Sequence, residues 1–309
     1  MPMPHRTFAA LAKRRLVGKE GRERIREVRS LLEELPDYRN GPYADLRKWL
    51  LGEIEDTRVR SNAVHRDAIE VRREGAAQIA LVGPPNVGKS SILQALSEIQ
   101  IKTGEYPFTT LRPVPSLTRI GGVLVQLVEI PGLIEGANDD RGGGRALLGV
   151  LRAVDAIAYC ARAGADPAEL AVVRWEIATA GIEKPAFLAA TRADEADPDA
   201  LRALADAFPD LELVPVSILD EGSLEAFRAA LWRLTGLIRV RLRKDGAADP
   251  EPLALPPGSR VVDVADWVHH DLAASFGGAL VWGPSARFDG QRVGRDHVVL
   301  DGDVVEILH

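Results

Sequence analysis

The residues best suited to chemistry are Gly83-Pro84-Pro85-Asn86-Val87-Gly88-Lys89-Ser90: a glycine, four residues, then Gly-Lys-Ser. This spacing lets successive backbone N–H groups wrap one phosphate at a helix start, where the peptide dipole favours an anion. Lys89 then reaches the β- and γ-phosphates and the Ser90 hydroxyl serves a Mg2+ ion, with Ser91 next on the helix. An apolar run, Ile79-Ala80-Leu81-Val82, precedes the loop, and a helical run, Ile92, Leu93, Ala95 and Leu96, follows it. Strand, loop and helix together are the context a phosphate loop requires.

Four further clusters bear on which nucleotide is bound and whether it reacts. Tyr106-Pro107-Phe108-Thr109-Thr110 lies about twenty residues past the loop, where a threonine would close on the γ-phosphate and metal; Thr110 is the first choice and Thr109 the second. Glu129-Ile130-Pro131-Gly132 ends a strand with a carboxylate near the metal's water shell and offers the Gly132 N–H to the γ-phosphate. Thr191-Arg192-Ala193-Asp194 follows another apolar run, and Asp194 there accepts both the N1–H and the exocyclic amine of guanine, a pair adenine does not present. Val216-Ser217-Ile218 follows one more strand and supplies a backbone N–H to guanine O6. Each cluster alone reads equally well as a loop or a cap. In this order they read together as a site for GTP, with Lys89, Thr110 and Gly132 in catalytic roles and Ser90, Thr110 and Glu129 beside the metal. An ATPase or kinase is disfavoured by Asp194.

The elements that must position these residues follow from the hydrophobic period. Ile25, Val28, Leu31, Leu32 and Leu35 form one helical stripe, and Leu46, Trp49, Leu50 and Ile54 a second, broken by Pro36 and Pro42, so the leader reads as a helical hairpin or small bundle. From about Ala77 short apolar strands (79–82, 123–130, 156–160 and 186–190) alternate with helices, and Gly121-Gly122 suits a tight hairpin with 118–120. Asp166-Pro167 and Asp197-Pro198 read as helix starts, Gly181 as a helix stop, and Ser223-Leu224-Glu225 as a further start. The alternation predicts an α/β fold, a mostly parallel sheet with helices on both faces. After Gly236 the texture becomes a small α+β unit: a strand over 237–242, one helix over 264–276, then short strands with glycine turns. The expected organisation is a helical region over 1–76, a nucleotide-binding domain over 77–237 and a small domain over 238–309.

Composition bounds the rest. The 309 residues carry a formal net charge of −6, which argues against a uniformly basic nucleic-acid coat. The charge is uneven: 17 Lys/Arg against 13 Asp/Glu through residue 76, then 22 against 32. A basic leader fits either an anionic partner or merely a solvated helical surface. The single cysteine, Cys160, fits a reducing compartment and a cytoplasmic protein. Residues 1–19 are basic without an apolar core, so they do not read as a secretory signal, and no run approaches the ~18 apolar residues of a membrane span. His269-His270 falls in a helical pattern with no nearby cysteine, a poor metal site. Arg239, Arg241, Arg243 and Lys244 read equally as an RNA contact or as an edge strand guarded by charge.

The phosphate loop, Tyr106 to Thr110, and Pro131-Gly132-Leu133-Ile134-Glu135-Gly136-Ala137 with Gly142-Gly143-Gly144 together resemble the Obg-related GTPases. Ala279-Leu280-Val281-Trp282-Gly283, Asp289-Gly290-Gln291-Arg292-Val293-Gly294, Asp296-His297 and Asp301-Gly302-Asp303-Val304-Val305-Glu306-Ile307 resemble the TGS domain of the developmentally regulated GTP-binding protein (DRG) branch. The resemblance covers about residues 50–309. It implies a β-grasp tail, a guanine nucleotide with Mg2+, and a ribosome, RNA or protein partner. Only about thirty residues separate Cys160 from Thr191, so the extra subdomain of DRG proteins reads as absent.

Three departures from the family pattern stand out. Glu129 replaces an aspartate, lengthening the metal-side carboxylate by one methylene. Thr191-Arg192 replaces Asn-Lys: Thr191 loses an amide that would brace the loop, while Arg192 keeps a flat cation to stack on the purine. Weaker guanine affinity with retained selectivity is the expected result. Leu133 stands where many small GTPases place a water-orienting glutamine, so the resemblance implies slow turnover. Asn86 matches a position that in similar GTPases helps hold K+; it reads equally as a loop-bracing amide. A GTP- or GDP-binding scaffold that barely hydrolyses remains the alternative.

Overall fold

The computed structural model describes residues 5–16, 19, 21–35, 41–66, 71–100, 112–132, 136–140, 144–244, 246–270 and 276–308. They form two compact units, Met1–Ala68 and Ile69–His309.

Among the described residues the first unit has three helices, α1 (His5–Leu16), α2 (Gly21–Glu34) and α3 (Pro42–Arg66). The basic arm is thus itself helical, because Phe8, Ala12 and Leu16 recur on one face and bury against Val28, Leu31, Leu35 and Leu50. Several of its cations are spent inside the unit. Arg15 pairs with Glu27 and Glu34, Lys19 with Glu27, and Arg24 with Glu53, whereas Arg26 and Arg29 are exposed.

The second unit opens on a seven-stranded sheet of order β2-β3-β4-β1-β5-β6-β7. Its strands are β1 (Gln78–Val82), β2 (Ile99–Gln100), β3 (Val114–Ile120), β4 (Val123–Glu129), β5 (Ala156–Arg162), β6 (Ala186–Thr191) and β7 (Leu213–Val216). β4, β1, β5, β6 and β7 run parallel, and β3 returns antiparallel on β4 through the Gly121-Gly122 turn. Both turn glycines have positive φ, 58° and 94°, as a tight hairpin demands. Near-continuous apolar strands are what a sheet covered on both faces requires. Accordingly one buried cluster, with Ala80, Val82, Leu148, Leu151 and Leu170, lies on one face. Another, with Ile79, Leu81, Ile92, Phe187 and Phe227, lies on the other.

The helices are α4 (Lys89–Leu96), α5 (Gly144–Ala153), α6 (Pro167–Thr179), α7 (Pro198–Ala207) and α8 (Glu221–Thr235). Asp166 and Asp197 cap α6 and α7 by accepting from Ala168 N and Ala200 N. α8 starts two residues before Ser223, because Asp220 is its cap and accepts from both Gly222 N and Ser223 N.

The tail is a second mixed sheet built on β8 (Ile238–Lys244), β10 (Leu253–Leu255), β11 (Gly278–Trp282), β12 (Gln291–Val293) and β13 (Val304–Leu308). The order is β10-β8-β13-β11-β12, with the short β9 (Ala247–Ala248) also on β8 and β8 parallel to β13. α9 (Val261–Val268) packs Val261 and Val264 onto Val240, Val281 and Val305. This helix starts three residues earlier than its apolar pattern suggests and stops at Val268. His269 is its extended C-cap (φ −165°) and His270 is again helical, so the two histidines straddle a break in the helix; residues 271–275 lie outside the described residues.

The arginine strand is also corrected. β8 is an interior strand, paired on both sides, so the edge-guard reading fails. Arg239 stacks 4.9 Å over Trp232 and binds Asp301 at 2.7 Å; Arg243 stacks 4.1 Å over Trp282. Arg239 also lies against Gly121 and Pro252 against Gly122, while Arg119 of β3 pairs with Glu251. The β3–β4 turn therefore seats directly on the tail.

Candidate functional site

Loop 83–90 leaves the end of β1 and enters α4. Its path is fixed by sterics. A Cβ on Gly83 would stand 2.1 Å from the Cys160 carbonyl, so only glycine lets the loop lie on β5. Gly88 has φ 95° and Asn86 φ 62°, left-handed positions that glycine and asparagine tolerate best. Asn86 is exposed at the tip, and Val87 is buried.

Lys89 is buried, and its Nζ donates to the carbonyls of Gly83 (3.0 Å) and Pro84 (2.7 Å), which closes the loop on itself. Burial lowers its pKa, with Cys160 and Glu129 pulling the other way. The Ser90 hydroxyl donates to Glu129 Oε1 at 2.6 Å. The longer carboxylate thus reaches the loop from the end of β4, and both oxygens are hard donors of the kind a divalent cation takes. Among the described residues, no three His, Cys, Asp or Glu side chains cluster as a metal site. Gly132 lies so close to Pro85 that a Cβ would meet its Cγ at 2.8 Å. Thr109, Thr110 and Leu133 lie outside the described residues.

The base side forms a cavity of about 190 Å3 lined by Gly88, Ser91, Thr191, Arg192, Asp194, Ser217 and Ile218 among others. These residues come from three places: the start of α4, the turn after β6, and the turn after β7. Thr191 corrects one expectation. Its buried hydroxyl donates to the Val87 carbonyl of the phosphate loop, with the Ala161 carbonyl a second acceptor at 3.3 Å. The brace assigned to a lost amide is therefore present, made by a shorter side chain. Arg192 holds a left-handed backbone (φ 53°) and pairs with Glu195 at 3.6 Å, beside an Arg162–Glu195 pair at 2.8 Å. Asp194 is exposed in a short 3-10 turn. The Ser217 N–H is committed to Ser223 Oγ, and its own hydroxyl accepts from Leu219 N.

Sequence reasoning missed Glu176, a buried carboxylate on α6 that accepts from the backbone of Gly136 and Asn138 just past the Gly132 turn. Its signal was positional: Leu170, Val173 and Ile177 make the buried stripe of α6, and Glu176 sits three residues past Val173 on that stripe.

Comparisons agree with this geometry. The family described as 50S ribosome-binding GTPase matches residues 78–192, and the TGS domain family matches 238–309. A GTP-binding protein of Halobacterium salinarum is 28% identical over 77% of this chain and 84% of its own length. Developmentally-regulated GTP-binding protein 1 of Xenopus laevis is 25% identical over 78% and 85%. The structure of the YchF GTPase of Schizosaccharomyces pombe superposes with a TM-score of 0.51 at 13% identity, covering 77% of this chain and 99% of that one, a likeness of fold. With a phosphate loop on a mostly parallel sheet and a TGS tail after it in the chain, this protein pairs a GTPase-family match with a TGS-family match and is similar to the developmentally regulated GTP-binding proteins.

Proposed function

We propose that this chain slowly hydrolyses GTP to GDP and phosphate and acts as a switch between the two bound states. The observation that carries the reading is the phosphate loop with neighbours on two sides: the Ser90–Glu129 pair and Gly132 against Pro85, and a cavity in which Gly88 and Ser91 meet the Thr191–Asp194 and Ser217–Ile218 turns. In this reading Lys89 leaves the Gly83 and Pro84 carbonyls for the β- and γ-phosphate oxygens, which turns an internal cap into a ligand contact. Backbone N–H groups of Pro-free loop positions Asn86 to Ser91 cradle the phosphates. The Gly132 N–H meets the γ-phosphate and Thr110 closes over it. Asp194 reads guanine, Arg192 covers the base, and the Ile218 N–H meets O6 because that of Ser217 is already engaged.

Ser90 and Glu129 would hold Mg2+, which when bound neutralises charge on the phosphate oxygens. Asn86 is the residue assigned to K+. Water then attacks the γ-phosphate in line, unaided by a glutamine at position 133. Residues 1–76, 77–237 and 238–309 serve as helical leader, G domain and TGS tail. A ribosome, another RNA or a protein regulator in the cytoplasm is the reader of the switch; the description of the matching family and the exposure of Arg241 and Lys244 support it.

The test is the nucleotide retained on gentle purification, followed by single-turnover GTP hydrolysis with Lys89→Ala as the blank. Guanine nucleotide and a rate above the blank are expected. Bound GTP that never turns over would leave a scaffold, and bound adenine nucleotide would overturn the reading entirely. Equal rates in K+ and Na+ would remove K+ from it. Ribosome sedimentation that is the same with GTP-analogue and GDP loading would remove the nucleotide-controlled ribosome partner.

A further inference from the structure

Gly136 and Asn138, four and six residues after Gly132 in the chain, are held by a buried carboxylate. Glu176, in the last turn of α6, is 1% exposed. Its Oε1 accepts the Gly136 N–H at 2.7 Å; its Oε2 accepts the Asn138 N–H at 3.0 Å and Asn138 Nδ2 at 2.7 Å. Asn138 Nδ2 also donates to the Glu176 backbone carbonyl at 2.9 Å. The clamped stretch is a short 3-10 turn, Ala137–Asp139, entered through Gly136 at φ 84°. Its other side is closed by α5: a Cβ on Gly144 would stand 2.4 Å from Ala137 Cα, and Arg145 Nε donates to the Asn138 carbonyl at 3.1 Å.

A carboxylate taken out of water is costly unless its lone pairs are filled, and here a loop fills them. A purely structural helix would place an apolar residue at this stripe position, as α6 does at Leu170, Val173 and Ile177. We infer that Glu176 is a positioning residue. It anchors the chain at Gly136 and Asn138, a few residues downstream of Gly132, so that the Gly132 N–H returns to one place each time a γ-phosphate arrives. The inference rests on the hydrolytic reading above. It predicts a defect specific to the triphosphate state, because GDP makes no demand on Gly132.

The test uses the full chain with Glu176→Gln and Asn138→Ala. Glutamine keeps the shape but turns one acceptor into a donor facing other donors. Asn138→Ala removes only the side-chain bonds and keeps both backbone bonds, so it decides the matter if Glu176→Gln does not fold. Expected are fluorescent-GDP affinities within about twofold of the parent, with single-turnover GTP hydrolysis slowed about tenfold in Glu176→Gln and less in Asn138→Ala. Faster amide exchange at residues 136–138 should accompany the slowing. Hydrolysis unchanged within twofold, or equal loss of GDP and GTP-analogue affinity, overturns the positioning role. If the parent chain itself never hydrolyses GTP, the hydrolytic reading falls alone. The ratio of GTP-analogue to GDP affinity then decides: a fall in the variants upholds the anchor, and no change rejects it.

Discussion

Thr191→Val isolates one hydrogen bond between the base side of the cleft and the phosphate side. The hydroxyl donates to the Val87 carbonyl, with Thr191 2% and Val87 4% exposed. Valine keeps the shape and removes the donor, leaving a buried carbonyl whose desolvation costs about 1–3 kcal/mol. The cost divides between the two states of the loop. Without nucleotide, loop 83–90 relaxes and lets the carbonyl find water, recovering part of the penalty. With nucleotide, neighbouring N–H groups are tied to phosphate and relaxation is blocked. Taking about 2 kcal/mol in total and half recovered, the nucleotide-free protein loses about 1 kcal/mol of stability. The remaining ~1 kcal/mol appears as an approximately fivefold weaker GDP affinity. Fluorescent-GDP titration and urea unfolding of the nucleotide-free chain measure the two parts, with Thr191→Ser as the control that keeps the hydroxyl. An affinity within ~1.5-fold and an unfolding free energy within ~0.3 kcal/mol of the parent would show that the loop does not depend on this bond.

Other outcomes follow from the same geometry. Asp194→Asn exchanges an acceptor for a donor, so competition titration should show weaker GDP binding and relatively better XDP binding, xanthine having a carbonyl where guanine has its amine. Gly132→Ala puts a methyl 2.8 Å from the rigid Pro85 ring. It should cost GTP-analogue affinity several-fold more than GDP affinity in paired titrations. The Arg239 hydrogen bond holds the Asp301 carboxyl below its ordinary value of 3.8. A depressed carboxylate adds stability that is present above that value and is lost as pH falls toward the folded-state pKa. Urea midpoints should therefore drop below about pH 4, and Asp301→Asn should lack that part of the drop.

The parts of the fold governed by local chemistry were legible. The phosphate loop, the Asp-Pro helix starts and the Gly121-Gly122 turn each announce themselves through residues only they require. The misread parts depend on partners distant in sequence. Asp220 captures the start of α8 ahead of Ser223, and β13 pairs in parallel with β8 from sixty residues away, making an interior strand of what looked like an edge. Thr191 was judged by the side chain it replaces, but what counts is the carbonyl it faces, contributed by a residue 104 positions earlier. Glu176 was overlooked because a glutamate on a helix normally faces water, and only the loop that folds over α6 supplies its donors.

The cysteine behind the phosphate loop has a practical consequence. Cys160 is the chain's one thiol, is fully buried, and is pushed up to about 12 by that burial. At pH 8 only a very small fraction of the thiol is then the reactive thiolate. Burial and the raised pKa together predict slow alkylation of the native chain, so that a cysteine placed on its surface becomes the preferred point of attachment for a dye or spin label. Residual alkylation of Cys160 itself serves as a clock, counting how often β5 parts from the loop that lies across it.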